Sequence, residues 1–134
     1  MRNFIIAASI LAAVTSSVVL AKEGPVKMTK KELLAFLPGT SSKYVTKAGS
    51  LQRWKNEPNG KFIASTDNKK YGTILGAQNV TAPGTWRVND EGKYCITIGF
   101  RQDPVDWCAF VFRNADGEYF LGGAEPSRGI EFTK

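Results

Sequence analysis

Two cysteines are the side chains in this sequence best suited to covalent chemistry. Cys95 and Cys108 are its only cysteines, and histidine is absent from all 134 residues. A structural zinc ion normally takes four Cys or His ligands, so two cysteines alone make a poor zinc site. In an oxidising compartment an even pair of cysteines is most simply a disulfide, with free thiols as the alternative. A bridge that closes a loop of about 14 residues adds roughly 3 kcal/mol to stability.

Close pairs of carboxylates are the other groups that could do chemistry. Asp90 is followed directly by Glu91, and Asp103 lies shortly before Asp106. Paired carboxylates can bind calcium or act as general acid and base. Both groups fall in or beside predicted hairpin turns, where Asp is favoured for local hydrogen bonding, so we interpret them as turn residues. Without histidine the Ser-His-Asp and Cys-His mechanisms are excluded, and we predict no catalytic residue, no metal ion and no cofactor.

A group of basic residues with a neighbouring tyrosine is the most credible binding surface. It consists of Arg53, Lys55, Lys61, Lys69, Lys70 and Tyr71. Basic side chains interleaved with aromatic rings can contact phosphates and stack on bases. The apolar segment at residues 4–14 is typical of an export signal, and export argues against nucleic acid as the target. Two hypotheses stay open for this basic patch: an ordinary solvated face, or a surface that contacts an anionic envelope component or a protein partner.

Positive charge is concentrated in the first part of the chain. The net charge is +6; residues 22–93 hold 13 lysines and arginines against 6 acidic residues, and residues 94–134 hold 4 against 6. Such an excess promotes solubility and attracts anionic surfaces such as lipid headgroups or polysaccharide. The asymmetry predicts that an anionic partner contacts the first part of the chain.

The first 21 residues have the layout of a bacterial-type secretory signal peptide. Arg2 precedes an apolar run from Phe4 to Val14, and Val19-Leu20-Ala21 supplies the small residue at the cleavage position. An uncleaved anchor needs roughly 20 uninterrupted apolar residues, and Thr15-Ser16-Ser17 interrupts this run. We predict cleavage after Ala21, one domain over residues 22–134, a location in the periplasm or outside the cell, and no stable membrane insertion after cleavage.

The remaining sequence predicts the elements that must position these groups. Thr29 and Glu32 form a capping box in front of the apolar stripe 33–37, and Pro38-Gly39 ends the segment, which predicts one short amphipathic helix. Residues 56–60, with Gly60 at their end, predict a hairpin between the two strands that flank them. Strands are predicted at 44–45, 51–55, 61–65, 71–75, 85–88, 94–100, 105–113, 118–121 and 130–132, the last of which could close the sheet.

The hairpin that contains both cysteines allows its register to be worked out. If Arg101 and Gln102 form the centre of the turn, residues whose numbers sum to 203 face each other, which places Cys95 opposite Cys108. Directly opposed side chains have Cβ atoms about 4.5–5.5 Å apart, so a disulfide can join them with some strand twist. One face of the hairpin is then predicted to be core, and it carries Tyr94, Ile96, Ile98, Phe100, Val105, Trp107, Ala109 and Val111.

Short motifs in the second half resemble a known family. Gly84-Thr85-Trp86-Arg87-Val88, Gly92-Lys93-Tyr94-Cys95, Cys108 and the segment 113–119 are similar to the pattern of domain of unknown function 995, a family of small exported bacterial proteins. The resemblance implies export and a β-rich fold, and it implies no activity or catalytic residues. Trp86 is expected to enter the core.

These patterns together predict a mainly β protein, with an antiparallel twisted sheet or half-barrel, one short N-terminal amphipathic helix and one disulfide. The sheet is expected to curl into a half-barrel or a compact barrel, and a two-sheet sandwich is the alternative. The expected function is a non-catalytic exported binding or interaction module of unknown partner. The alternatives are a lipocalin-like carrier with a small apolar ligand inside the curved sheet and, as the weakest, a carboxylate-based enzyme.

Overall fold

The computed structural model describes residues 24–67 and 80–134, which form one short helix and nine strands. Most of the predicted elements are present within a few residues of their predicted bounds, and the run 71–75 lies outside the described residues. The elements are β1 (Val26–Lys27), α1 (Lys30–Phe36), β2 (Ser41–Val45), β3 (Leu51–Lys55), β4 (Lys61–Thr66), β5 (Val80–Val88), β6 (Tyr94–Ile98), β7 (Val105–Arg113), β8 (Tyr119–Gly122) and β9 (Pro126–Thr133).

Strands β2 to β9 form a closed antiparallel barrel in which each strand pairs with the next one along the chain. Strand β9 closes it, because the first part of β9 pairs with β8 while Glu131, Phe132 and Thr133 pair with β2. The predicted twisted sheet or half-barrel is therefore too open, whereas the proposed closing role of residues 130–132 is confirmed. Closure pairs β2 with β9, which would otherwise lie at the two edges of the sheet formed by these eight strands.

The register predicted for the cysteine hairpin is confirmed. Cys95 faces Cys108 and Ile96 faces Trp107 across β6 and β7. The two cysteines form a disulfide, with their Cα atoms 4.0 Å apart. Opposed cysteines and an alternating apolar pattern agreed on one register because a slip by one residue would turn every core side chain outward.

The interior of the barrel is filled by side chains. Tyr94, Ile96, Ile98 and Val111 are at most 1% exposed, and the ring of Trp107 lies 5.9 Å from that of Tyr94 between centroids. The predicted core face of the cysteine hairpin belongs to this cluster or packs against it, with Val105, Trp107 and Ala109 only partly buried. Trp86 is buried as expected. Eight strands give an interior just wide enough for side chains to fill, so a packed core is the normal outcome at this size.

Helix α1 covers one end of the barrel. Thr29 and Glu32 form the predicted capping box, in which each side chain accepts a hydrogen bond from the other residue's backbone N–H. Leu33 and Leu37 are fully buried, and the ring of Phe36 stacks on Tyr119 with centroids 5.2 Å apart. A helix this short is not stable alone, so packing on the barrel end is what maintains it.

Candidate functional site

The wall of the barrel is incompletely paired between β3 and β4. These strands pair only at Gln52↔Thr66 and Arg53↔Ser65, although β3 pairs with β2 as far as Lys55 and β4 pairs with β5 from Lys61 onward. The predicted hairpin therefore exists, but its strands are paired away from the connection and separate next to it. We call this opening, between residues 54–55 of β3 and 61–64 of β4, the seam.

On one side of the seam, Asn56 keeps the end of β3 beside β2. Its backbone N–H donates to Thr40 O at 2.8 Å, and its C=O accepts from the Gly39 N–H at 2.7 Å. Its side-chain amide, which is fully buried, donates to Thr40 and to Ser42 Oγ. A buried amide must find such partners, so Asn56 draws the chain toward β2 and away from β4.

On the other side of the seam, Trp86 keeps the β3–β4 connection beside β5. The Trp86 backbone N–H donates to Gly60 O at 2.9 Å, and its indole Nε1–H donates to Glu57 O at 2.7 Å. The two ends of the connection are thus attached to different neighbouring strands. The opening follows from these attachments.

Backbone polar groups face each other across the seam. Pro83 O accepts from the Gly99 N–H, so the carbonyl group of Pro83 points toward β6 and away from β4. Two residues that face each other in an antiparallel pair point their N–H and C=O groups either both toward each other or both away. Ile63 faces Pro83, so the N–H and C=O of Ile63 point away from β5 and toward β3. Successive residues of one strand alternate in this direction. Asn56 bonds to β2, so the N–H and C=O of its neighbour Lys55 point toward β4.

A groove of about 690 Å³ runs over the outer wall beside the seam, and we call it the seam groove. Ile63 at its edge is 68% exposed, whereas Phe62 is buried. A Cβ added to Gly84 would lie 2.2 Å from a ring carbon of Phe62, so only glycine allows the ring to lie there. The groove is lined by Lys55, Glu57, Lys61, Phe62, Ile63, Pro83, Gly84, Thr85, Thr97 and Gly99.

A second groove, of about 550 Å³, lies on the other side of Ile63. It reaches inward to Ser42 and Trp54, two buried residues of the barrel interior. Its outer lining includes Lys43 and Arg53. Ile63 is therefore an exposed apolar side chain between two concave regions, which places an apolar element in the middle of a basic surface.

The cations at the seam are only partly neutralised. Lys55 Nζ lies 3.9 Å from Glu57 Oε1, and Lys43 Nζ lies 3.7 Å from Glu131 Oε2. Arg53 and Lys61 form no ion pair with any residue in the part of the chain that the structure describes. Exposed pairs of this length are weak, so all four cations are accessible to an anionic ligand.

The structure brings together half of the basic patch predicted from the sequence. Arg53 and Lys55 project from the exposed face of β3 and Lys61 from that of β4. Lys69, Lys70 and Tyr71 lie outside the described residues. Sequence reasoning missed Ile63, although an apolar residue at an outward position between Lys61 and Ser65 was a visible signal.

The barrel interior holds a polar network centred on the hydroxyl of Tyr94. This hydroxyl donates to Asn56 Oδ1 and accepts from Trp54 Nε1 at 2.9 Å, and it lies 3.4 Å from Ser42 Oγ. Burial raises the pKa of Tyr94 well above its ordinary value of 10.0, against the smaller opposing effect of these hydrogen bonds. The phenol is therefore neutral over the physiological range and acts as a hydrogen-bonding group within the core.

The carboxylates singled out in the sequence lie on the surface. Asp90 contacts Lys30 at 3.2 Å and Glu91 contacts Lys93 at 3.3 Å, both within or beside the β5–β6 turn, as predicted. Asp103 is exposed in the β6–β7 connection. Residues 24–67 and 80–134 contain no group of three or more potential His, Cys, Asp or Glu metal ligands.

In the described ranges, no helix is long and apolar enough to cross a membrane. Comparisons with protein-family models, with curated proteins and with solved structures find no match for this chain. The resemblance to domain of unknown function 995 stays a prediction.

Proposed function

We propose that this protein is a non-catalytic exported binding module whose contact surface is the outer wall around the seam, and that its partner is an anionic envelope component. The observation that carries the proposal is the contrast between the two faces of the wall. The inner face is occupied by packed side chains such as Tyr94 and Ile96, whereas the outer face presents a groove with cations beside it.

The disulfide supports the exported location. Disulfides persist in oxidising compartments and are rare in reducing ones, and Cys95 is joined to Cys108. The periplasm or the extracellular space is therefore the proposed location, with cleavage of the predicted signal after Ala21.

Charge supports an anionic partner. Arg53, Lys55 and Lys61 project from the exposed faces of the neighbouring strands β3 and β4, whereas Asp116, Glu118 and Glu125 lie in or beside the two connections that precede and follow β8. A surface of one sign attracts the opposite charge over about 8 Å at physiological ionic strength. Anionic lipid headgroups therefore meet a favourable surface on the seam side.

The lipocalin-like carrier is the second candidate, and the closed barrel in which sequential strands are neighbours is the observation that favours it. A carrier of this kind places its ligand inside the barrel. Here Trp54, Tyr94 and Trp107 meet in the interior, with ring centroids 5.9 to 6.5 Å apart. A ligand would have to displace them, so the outer wall is the better-supported site.

Co-sedimentation with lipid vesicles tests the proposed function. The mature protein should bind vesicles of phosphatidylglycerol and phosphatidylcholine in equal parts, and should not bind pure phosphatidylcholine. Each lysine near an anionic surface contributes about 1 kcal/mol, so K55Q/K61Q should lower partitioning about thirty-fold.

The matched control is K31Q/K47Q, which removes the same charge from two exposed positions that line neither of the two grooves. This control should change partitioning less than about threefold, since screening limits distant charges. Equal losses in both variants would mean that only net charge matters and would overturn the assigned surface. Absence of binding to anionic vesicles, together with a stable protein complex in envelope extract, would indicate a protein partner.

A further inference from the structure

We propose that the seam groove binds a single-chain anionic lipid, with its acyl chain against the apolar floor and its headgroup beside Lys55 and Lys61. This inference rests on the proposed function and assigns the ligand class within the same surface. Its failure would leave the broader attraction to anionic surfaces intact.

The shape of the groove suits a small amphiphile. Its volume of about 690 Å³ is within the range of roughly 300–1,000 Å³ that small-molecule sites occupy. Phe62, Ile63 and Pro83 supply an apolar lining, and Gly99 supplies an exposed position without a side chain. An extended chain can therefore lie close to the wall at Gly99.

A peptide strand fits the seam less well. Strand addition gains its affinity from a row of main-chain hydrogen bonds. The seam spans only Trp54 and Lys55 on β3 before the chain enters the connection. An added strand would therefore find few backbone partners, and the acyl chain, which needs none, is the better occupant.

The charge of the groove matches one negative headgroup. Its lining contains Lys55, Lys61 and Glu57, which gives a net charge of 2 − 1 = +1. Glu57 lies 3.9 Å from Lys55, and Lys61 has no carboxylate partner among the described residues. A carboxylate or monoanionic phosphate beside Lys61 would neutralise the net positive charge of the groove and would leave the ion pair between Lys55 and Glu57 intact.

Ile63 supplies the second, independent argument. It is 68% exposed, the largest exposed fraction among the large hydrophobic side chains of the described residues. An acyl chain in the groove would cover this side chain and Pro83 beside it. The ligand would thus remove from water the apolar surface that the fold itself leaves uncovered.

Titration calorimetry with dodecanoate, below its micellar concentration, tests the inference on the mature protein. Dodecanoate should bind with one site per chain, and decanoate should bind about fifteen-fold more weakly, because each methylene is worth about fourfold. Dodecyl maltoside and dodecyltrimethylammonium have the same chain with a neutral or positive headgroup, and should bind at least tenfold more weakly than dodecanoate.

Two pairs of variants locate the site. I63S should weaken dodecanoate at least fivefold, whereas V45S, at an outward position of β2 that is 58% exposed, should leave it unchanged. K55Q/K61Q should weaken it at least tenfold, whereas K31Q/K47Q should not. Both substituted apolar residues are exposed, so unchanged thermal unfolding should accompany each serine variant.

The outcomes separate this inference from the proposed function. Lack of dodecanoate binding by a protein that still sediments with anionic vesicles overturns the acyl-chain site alone. Equal affinity for all three headgroups, or several sites per chain, shows non-specific adsorption and also overturns it. Binding of dodecanoate that none of the variants changes would place the ligand elsewhere, and would contradict the seam groove.

Discussion

Replacement of Tyr94 by Phe removes one oxygen from the centre of the barrel and leaves the ring in place. The lost hydroxyl donates to Asn56 and accepts from Trp54 Nε1 at 2.9 Å. Its contact with Ser42 Oγ, at 3.4 Å, is long and adds little. The substitution thus tests whether the buried network stabilises this barrel, with almost no change in the volume of the core.

The expected cost can be worked out from the partners left behind. Trp54 Nε1 keeps a bond to Asn56 Oδ1 at 3.1 Å, and Ser42 Oγ keeps one to the Asn56 amide at 2.9 Å. No buried group is left unsatisfied, so only the net value of two hydrogen bonds is lost. At about 0.5–1.5 kcal/mol for each bond, Y94F should lower the free energy of unfolding by about 2 kcal/mol.

Urea denaturation of Y94F and of a matched control, Y119F, measures this cost. Tyr119 is half-buried, and its ring stacks on Phe36. Its hydroxyl forms no hydrogen bond with any residue of 24–67 or 80–134, so Y119F should change stability by less than about 0.5 kcal/mol. A loss for Y94F no larger than that for Y119F would refute the reasoning about the network.

The pH dependence of the same pair of proteins gives a second measurement. Burial raises the pKa of Tyr94 in the folded state, while the unfolded chain releases this proton near pH 10. Stability from the buried phenol is therefore complete below pH 10 and falls above it, by about 1.4 kcal/mol per pH unit. The advantage of wild type over Y94F should shrink above pH 10, and an advantage that stays constant to pH 11.5 would contradict a buried neutral phenol.

Three further predictions concern covalent structure, close packing and export. Freshly purified protein should show no free thiol, and reduction of Cys95–Cys108 should lower the free energy of unfolding by about 3 kcal/mol in urea; two reactive thiols would contradict the bridge. G84A should cost about 1–3 kcal/mol, since its Cβ would lie 2.2 Å from a ring carbon, whereas G129A, with nothing within 4 Å, should cost nothing; equal melting temperatures would refute this. N-terminal sequencing of exported protein should begin at Lys22, and recovery of Met1 would disprove cleavage.

The helix and most strands of this fold were predictable from the sequence, because the residues that determine each element lie close together in the chain. The capping box at Thr29 and Glu32 formed as its spacing implies. The register of the cysteine hairpin was predictable because the alternating apolar pattern and the short distance that a disulfide can span both require Cys95 to face Cys108. The closure of the barrel was less visible, since the pairing of Ser41 with Thr133 joins residues far apart in sequence.

The seam was not predictable from spacing alone. Residues 56–60 have the composition of an ordinary hairpin connection, which favours pairing right beside the turn. The strands separate there because Asn56 bonds to β2 and Trp86 holds the connection on β5. Both attachments are tertiary contacts between residues far apart in the sequence, so the composition of the connection does not reveal them. The basic residues of the candidate site were found from sequence, but the exposed Ile63 gains its meaning only beside the groove that the seam creates.

Amide chemical-shift mapping with anionic bicelles tests most directly the claim that the outer wall, and not the interior, is the contact surface. Bicelles that contain phosphatidylglycerol should shift the amides of Arg53, Lys55 and Ile63, which lie at the seam. The amides beside the buried Ile96 and Val111 should move little, because the packed core stays closed. Shifts concentrated at those interior positions, with little change at the seam, would contradict the account.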